Sequence, residues 1–432
     1  MTRPTPDTTV LGEAPRASVS TGRHARVTDT SEIPVVPVEP SAGTPGRLAI
    51  VRGWYGGSLF AGASTWLLCM CNAMLLTYFA HLLKPTPTSW KVLVGAWGQW
   101  DWGFYRIIAT DGYDGMYTPQ DTRIGAFFPL YGLLVRWFDW VVPGPPVFAG
   151  LVVSSLALLG MLVMLHRLVS REFDERTANR AMAVLVVFPT AFFLVAPYPS
   201  GLILFFSITC VYALRTGHWW IAGVFAALAS GTRASGVLLA VPFAYEYLRQ
   251  HEFKLRRFRW DVLAIGLVPM GLVAYAAYTQ HVYGDALLFS HAQANWGRHF
   301  AGPWVSIGDT IHGVATTPIS VNQVNVLNLG AVLLTGALLT LSFVGPWKLP
   351  RHLLALPLLG IMQWLFIVSF PTGPEPTGRL PSASRHVLEI FPAFILLARV
   401  AQRRYLAHAY FYLALTVQGA VTIHYLNSGW IA

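Results

Sequence analysis

Four aspartates, Asp101, Asp111, Asp114 and Asp121, lie in a polar, aromatic-rich segment between Val92 and Leu134, VLVGAWGQWDWGFYRIIATDGYDGMYTPQDTRIGAFFPLYGLL, with apolar runs on either side. Carboxylates beside a bilayer are costly to place, so a cluster of them marks a working site. Asp101 stands between Trp100 and Trp102 and four residues before Tyr105, a spacing that puts Asp101 and Tyr105 on one helix face. Partial burial between two indoles makes a carboxylate a better proton acceptor, which suits a general base. The competing reading is an aromatic belt, with Trp97, Trp100 and Trp102 at headgroup level and the acids merely solvated.

Two arginines draw attention for a different reason. Arg233 falls in GTRASG, between two apolar stretches, and Arg385 falls in SASRH, just before another. A guanidinium in a bilayer costs about 2.5–3.5 kcal/mol on insertion scales unless an acid or a wet cavity receives it. Its planar fork also matches the oxygens of a phosphate. The plainer alternatives are that Arg233 pairs with a nearby acid or carbonyl and that Arg385 snorkels to the interface. Arg298, His299 and His386 complete the cationic candidates. His291 and His299, eight apart, have no metal-ligand spacing.

The elements that must position these residues are helices in lipid. Apolar residues make up 54% of the chain and charged residues only 12%, which suits a polytopic membrane protein. The runs are continuously apolar, as in LLCMCNAMLLTYFAHLL, so they cross as helices and not as alternating barrel strands. The fold class expected is all-α, with about eleven transmembrane helices near residues 58–82, 147–165, 181–197, 200–214, 219–231, 236–248, 262–283, 326–346, 353–370, 386–398 and 406–427. Residues 1–46 are rich in Pro, Thr, Ser, Gly and Arg and read as a disordered cytoplasmic tail, residues 47–432 as the transmembrane domain, and 84–146 as its large first extracytoplasmic loop. The net charge of +10 is scattered over short connections, which fits the positive-inside rule and excludes nucleic acid as the partner. Cys69, Cys71 and Cys210 form no CxxC or zinc pattern and read as packing or lipid-facing residues.

Parity of the threading depends on the stretch from Trp219 to Leu248. A hairpin bending at GTRASG keeps the basic run after Arg249 in the cytoplasm and carries Arg233 to the outer face. FFPLYGLLVRWFDWV then lies along the outer interface. The Asp101 loop, the YPS turn at Tyr198, GTRASG, the loop GDALLFSHAQANWGRHFAGPW and PEPTGRLPSASRH all open on that face.

At this point the chain resembles a family. Trp100-Asp101, Tyr105, Ile108-Ala109, Gly112-Tyr113 and Ala126-Phe127-Phe128-Pro129-Leu130-Tyr131 look like the first luminal loop of the PIG-V-like mannosyltransferases, integral membrane glycosyltransferases of the GT-C class. YALRTGHWWIAGVFAALASGTRASGVLLAVPFAYEYLR, GDALLFSHAQANWGR and SASRHVLEIFPAF continue the likeness beyond residue 90. The chain departs from the family pattern where Tyr198-Pro199-Ser200-Gly201 has no acid, where Ala234 replaces a proline, at Gly132, and at His386 where tyrosine is usual.

The resemblance implies transfer of mannose from a polyprenyl-phosphate donor to a hydroxyl of an extracytoplasmic glycan or glycolipid, with inversion. It implies Asp101 as base, with Asp111 or Asp114 in reserve; Arg233 and Arg385, at outer helix ends, are expected toward the donor phosphate, followed by Arg298 and His386. Trp100, Tyr105, Tyr113 and Tyr131 are then expected toward substrate. A divalent ion such as Mg or Mn, with Asp114 as a partner, is compatible with the residues but not required by them. Membrane lipids are the surroundings, and a compact chain without evident glycosylation sites points to a bacterial plasma membrane with a cytoplasmic N-terminus. Two other readings stay open: a transporter or lipid flippase whose polar segments form a vestibule, and a GT-C enzyme using arabinose or glucose.

Overall fold

The computed structural model describes residues 47–83, 89–373 and 379–431, with side chains described from residue 57 onward. The expected tail, 1–46, and residues 84–88 of the expected loop lie outside the described residues. Contacts divide the chain into residues 1–50, of which 47–50 begin the first helix, and residues 51–432, which hold everything that follows.

Seventeen α-helices and several 3-10 turns account for the described residues, which contain no strand beyond isolated bridges. In chain order these are α1 (Arg47–Leu82), α2 (Trp90–Gly95), α3 (Trp102–Thr110), α4 (Pro129–Asp139), α5 (Pro146–Glu172) and α6 (Glu175–Val186). Next come α7 (Ser200–Arg215), α8 (Trp219–Thr232), α9 (Ala240–Gln250), α10 (Met270–Tyr283), α11 (Leu288–His291) and α12 (Pro303–Thr316). The last are α13 (Ile319–Leu341), α14 (Ala355–Val368), α15 (Ala383–His386), α16 (Phe391–Val400) and α17 (Arg404–Leu426). The chain is all-α, and it is an integral membrane protein: α1 and α17 turn Leu59, Phe60, Leu68, Met74, Tyr412 and Leu413 outward, a surface stable only against hydrocarbon.

Among the described residues, four helices are long and apolar enough to cross a membrane, namely α1 from Gly57, α5, α13 and α17, and a bent pair makes five. The sequence suggested eleven. Four of the expected spans form shorter apolar helices, α7, α8, α14 and α16, and two others are interrupted at proline. The expected span 181–197 ends as α6 at Val186, and Pro189, Pro197 and Pro199 confine the remainder to a 3-10 turn, Ala191–Leu194. The expected span 262–283 bends by 48° between the 3-10 segment Trp260–Leu267 and α10, on either side of Pro269. The expected span 386–398 starts late, as α16 at Phe391, after α15 and a 3-10 turn at Val387–Glu389.

The bend at GTRASG is a hairpin. Trp219 at the start of α8 packs on Phe243 and Tyr247 of α9, with ring centroids 5.8 and 4.8 Å away. Gly236 makes the turn tight, because a Cβ there would come within 2.4 Å of the Ala229 carbonyl carbon and the Ser230 nitrogen. α10 approaches α8 equally closely through Gly271, whose Cβ would meet the Ala227 oxygen and the Gly231 nitrogen at 2.2 Å.

Charged side chains collect in two layers. At one end Arg215 binds Glu172 through two nitrogens, at 2.9 and 2.6 Å, and reaches the fully buried Glu246 at 2.9 Å, which also accepts from Arg249 at 2.7 Å. This staple ties α5, α7 and α9. The candidate site lies at the other end of α7, about 24 Å away by helical rise, a separation close to a hydrocarbon core of about 30 Å.

Candidate active site

Asp101 occupies the N-cap position of α3, but its carboxylate does not cap the helix. It accepts a hydrogen bond from Arg385 Nη1 at 2.7 Å, across 284 positions of sequence. Trp100 makes this possible. Its backbone takes a left-handed conformation, φ 54°, unusual for a bulky residue, so the chain turns sharply just before Asp101. The two flanking indoles lead elsewhere. Trp100, 44% exposed, stands edge-on to Trp430 at 4.8 Å and donates Nε1–H to the Gly429 carbonyl, while Trp102 is buried against Gly150, where an added Cβ would meet its ring at 2.7 Å. The expected burial of Asp101 between indoles is therefore replaced by an ion pair, because adjacent residues at a helix start point in different directions.

Arg385 itself is enclosed. Its guanidinium lies over the rings of Phe193 and Tyr198, 5.4 and 5.3 Å from their centroids, and its Nε is buried without a hydrogen-bond partner. The proline-broken stretch after α6 supplies both rings, and the Tyr198 hydroxyl is held by the Gln99 carbonyl at 2.8 Å.

Arg233 terminates α8 and reaches the same cluster. Its Nη1 donates to Glu389 Oε1 at 2.5 Å and to His386 Nδ1 at 2.6 Å. A guanidinium only donates, so His386 accepts through a neutral ring with its proton on Nε2. Tyr105 lies within the field of Arg233, Asp101 and Arg385, and burial pushes its phenol up to about 12 against the pull of Arg233. Arg298 completes the set. Gly297, at φ 60°, turns the chain before it, and Gly373 N–H donates to the Gly297 carbonyl at 3.1 Å. Burial, followed by the nearby Arg385, pulls Arg298 down to about 10, so it stays protonated in neutral water. Among the described residues no side chain hydrogen-bonds or pairs with its guanidinium.

The structure thus gathers Asp101, Tyr105, Arg233, Arg298, Arg385 and His386 at one end of the bundle. It does not gather the others. Asp111 caps the far end of α3, about 15 Å along the helix by its rise, and its Oδ2 accepts from Thr110. Asp114 accepts from Tyr283 at 2.7 Å, and Asp121 pairs with Arg123, which holds its carboxyl below the usual range. Tyr113 and Tyr131, expected toward substrate, are closed to solvent with their hydroxyls engaged. Tyr113 donates to the Phe127 carbonyl at 2.6 Å, and Tyr131 meets the Gly150 carbonyl and Ser154 Oγ at 3.0 and 2.8 Å. They lock α4 and its approach against α3 and α5. Among the described residues, no three His, Cys, Asp or Glu side chains gather as a metal site.

Glu389, paired with Arg233, is the member of the candidate site that reading the sequence missed. The available signal was a lone acid in the apolar run HVLEIFPAF, where an unpartnered carboxylate is expensive.

An all-helical integral membrane protein, with a carboxylate and arginine cluster at one end of its bundle, is what fold and site define. No family model matches the chain. Over 100 residues it is 29% identical to GPI mannosyltransferase 2 of Yarrowia lipolytica, covering 23% of this chain and 28% of that protein, so the chain spans little more than a quarter of that relative's length. This match supports the PIG-V-like resemblance. Among solved structures, ArnT from Cupriavidus metallidurans bound to undecaprenyl phosphate is similar at a TM-score of 0.46 and 15% identity, covering 78% of this chain and 60% of that one. The oligosaccharyltransferase AglB from Archaeoglobus fulgidus, in complex with an inhibitory peptide and a dolichol-phosphate, is similar at 0.42 and 10%, covering 83% and 56%.

Proposed function

We propose that this chain is a GT-C glycosyltransferase that moves mannose from a polyprenyl-phosphate donor to a hydroxyl of an extracytoplasmic glycan or glycolipid, inverting the anomeric carbon. The observation that carries the proposal is a carboxylate, Asp101, set among three guanidiniums, Arg233, Arg298 and Arg385, with Glu389 the one further acid paired to them among the described residues. The reaction needs two things from the protein, a base for the acceptor proton and cations for the phosphate on which charge builds.

Asp101 serves the first need. Its Oδ2 is anchored by Arg385, and Oδ1 accepts no hydrogen bond among the described residues. The acceptor oxygen attacks the anomeric carbon as its proton passes to this carboxylate. The bond from that carbon to the phosphate oxygen breaks, and its electron pair stays on the lipid phosphate. Arg298, Arg385 and Arg233 receive that phosphate, and a single displacement needs no covalent sugar intermediate.

We read the site as extracytoplasmic, since the basic staple at Arg215 and Arg249 suits the opposite, cytoplasmic end, and the membrane as bacterial, from a compact chain without evident glycosylation sites. The test is reconstitution. Purified chain in lipid, given radiolabelled polyprenyl-phosphate mannose and a mannoside acceptor, makes labelled product without an ion gradient. A carrier would move solute and make no new bond, and product from polyprenyl-phosphate arabinose or glucose alone would reassign the sugar.

A further inference from the structure

We propose that Glu389 is a positioning and charge-setting residue of the donor site: it docks Arg233 and holds the arginine cluster to one excess positive charge, which favours a singly charged phosphodiester over a phosphate monoester. The inference rests on the donor reading above and extends it to product release.

The geometry has a repeated pattern. Arg385 gives Nη1 to Asp101 and keeps a buried Nε without a partner, while Arg233 gives Nη1 to Glu389 and His386. Each arginine is therefore moored by a carboxylate through one nitrogen, and Arg233 also reaches Tyr105. Arg298 lies in the field of Asp101 but forms no salt bridge with an acid among the described residues. Among the described residues, three guanidiniums against two carboxylates leave one excess positive charge, and His386 adds none while it accepts through Nδ1.

The donor and the spent lipid differ in charge. A sugar linked to a lipid through a phosphodiester carries one negative charge. Transfer leaves a phosphate monoester of roughly −1.5 to −2 at neutral pH, and the acceptor proton leaves by way of Asp101. A cluster with an excess of one is neutralised by the donor. With an excess of two it would match the spent lipid phosphate and retain it. Glu389, 5% exposed and within the field of Arg385 as well as Arg233, makes that difference.

The experiment uses the full chain in nanodiscs, with polyprenyl-phosphate mannose as donor and polyprenyl phosphate as product inhibitor. Glu389→Gln keeps a hydrogen-bond acceptor for Arg233 and removes the charge. The expected result is an inhibition constant for polyprenyl phosphate about tenfold tighter, with the donor KM changed less than about threefold and kcat reduced because release slows. Glu389→Asp should return all three toward wild type. Breaking a buried ion pair can unfold a protein, so Arg233→Gln with Glu389→Gln provides the second arm: it removes both charges, restores the excess of one, and should restore the inhibition constant. An unchanged or weaker inhibition constant in a folded Glu389→Gln protein, or a double variant that stays tight, overturns the proposal. Wild-type protein that neither transfers from nor binds any polyprenyl phosphate sinks the donor reading instead.

Discussion

Asp101→Asn separates the two jobs assigned to the cluster. The substitution keeps the shape of the side chain and an oxygen for Arg385 Nη1, now 2.7 Å from the carboxylate, but removes the negative charge and the base. Loss of a positioned base lowers transfer by about 10²- to 10⁴-fold, which is roughly 3–5.5 kcal/mol of barrier. The fold pays a smaller amount, because the Arg385 side chain is only 6% exposed while Asp101 is 23% exposed. About 3 kcal/mol, the lower end for a buried pair that loses one partner, is the expected cost. Binding of the lipid phosphate moves the other way, since the excess positive charge rises from one to two. A unit charge roughly 6 Å from the phosphate at an effective permittivity near 20 is worth about 3 kcal/mol, which water at the partly open carboxylate cuts to about half, or roughly tenfold. The assay is transfer from labelled polyprenyl-phosphate mannose beside direct binding of polyprenyl phosphate, both normalised to folded protein by thermal unfolding. Transfer within tenfold of wild type would refute the role of Asp101 as base. A joint loss of transfer and lipid-phosphate binding would refute the division of labour between carboxylate and arginines.

Arg298→Gln should raise the donor KM about tenfold with little change in thermal stability, because no side chain among the described residues hydrogen-bonds or pairs with this guanidinium; a fall in stability with an unchanged KM contradicts that placement. Tyr131→Phe removes the hydroxyl that meets the Gly150 carbonyl and Ser154 and should cost about 1–2 kcal/mol of stability, while kcat per folded molecule stays near wild type. A large kcat defect at full stability would return Tyr131 to the substrate side. Gly236→Ala should reduce the folded fraction sharply, by about 3 kcal/mol or more, since its Cβ would enter the Ala229–Ser230 backbone at 2.4 Å. Normal yield and melting temperature for that variant would mean that the hairpin is looser than described.

Composition and continuous apolar runs were enough to read an all-helical membrane protein, because burial in hydrocarbon leaves a backbone few other ways to satisfy its hydrogen bonds. The residues worth watching were legible too. Asp101, Arg233, Arg298, Arg385 and His386 are charged or polar groups in places where only a partner or a ligand makes them affordable, and that cost is visible in one dimension. Tyr113, Tyr131, Asp111 and Asp114 looked similar in the sequence because aromatic and acidic residues near an interface carry the same local signal whether they bind substrate, fill the core or face solvent.

Partnership was decided only in three dimensions. Nothing local links Asp101 to Arg385, or Arg233 to Glu389 across 156 positions. Those pairs exist because Trp100 turns the chain, Pro189 and Pro197 break a would-be span, and Gly236 lets the α8 hairpin close, so that segments far apart in sequence end at one level of the bundle. Sequence fixes which groups cannot be left alone in lipid; packing chooses which of them meet, since a side chain's direction depends on every element that crowds it.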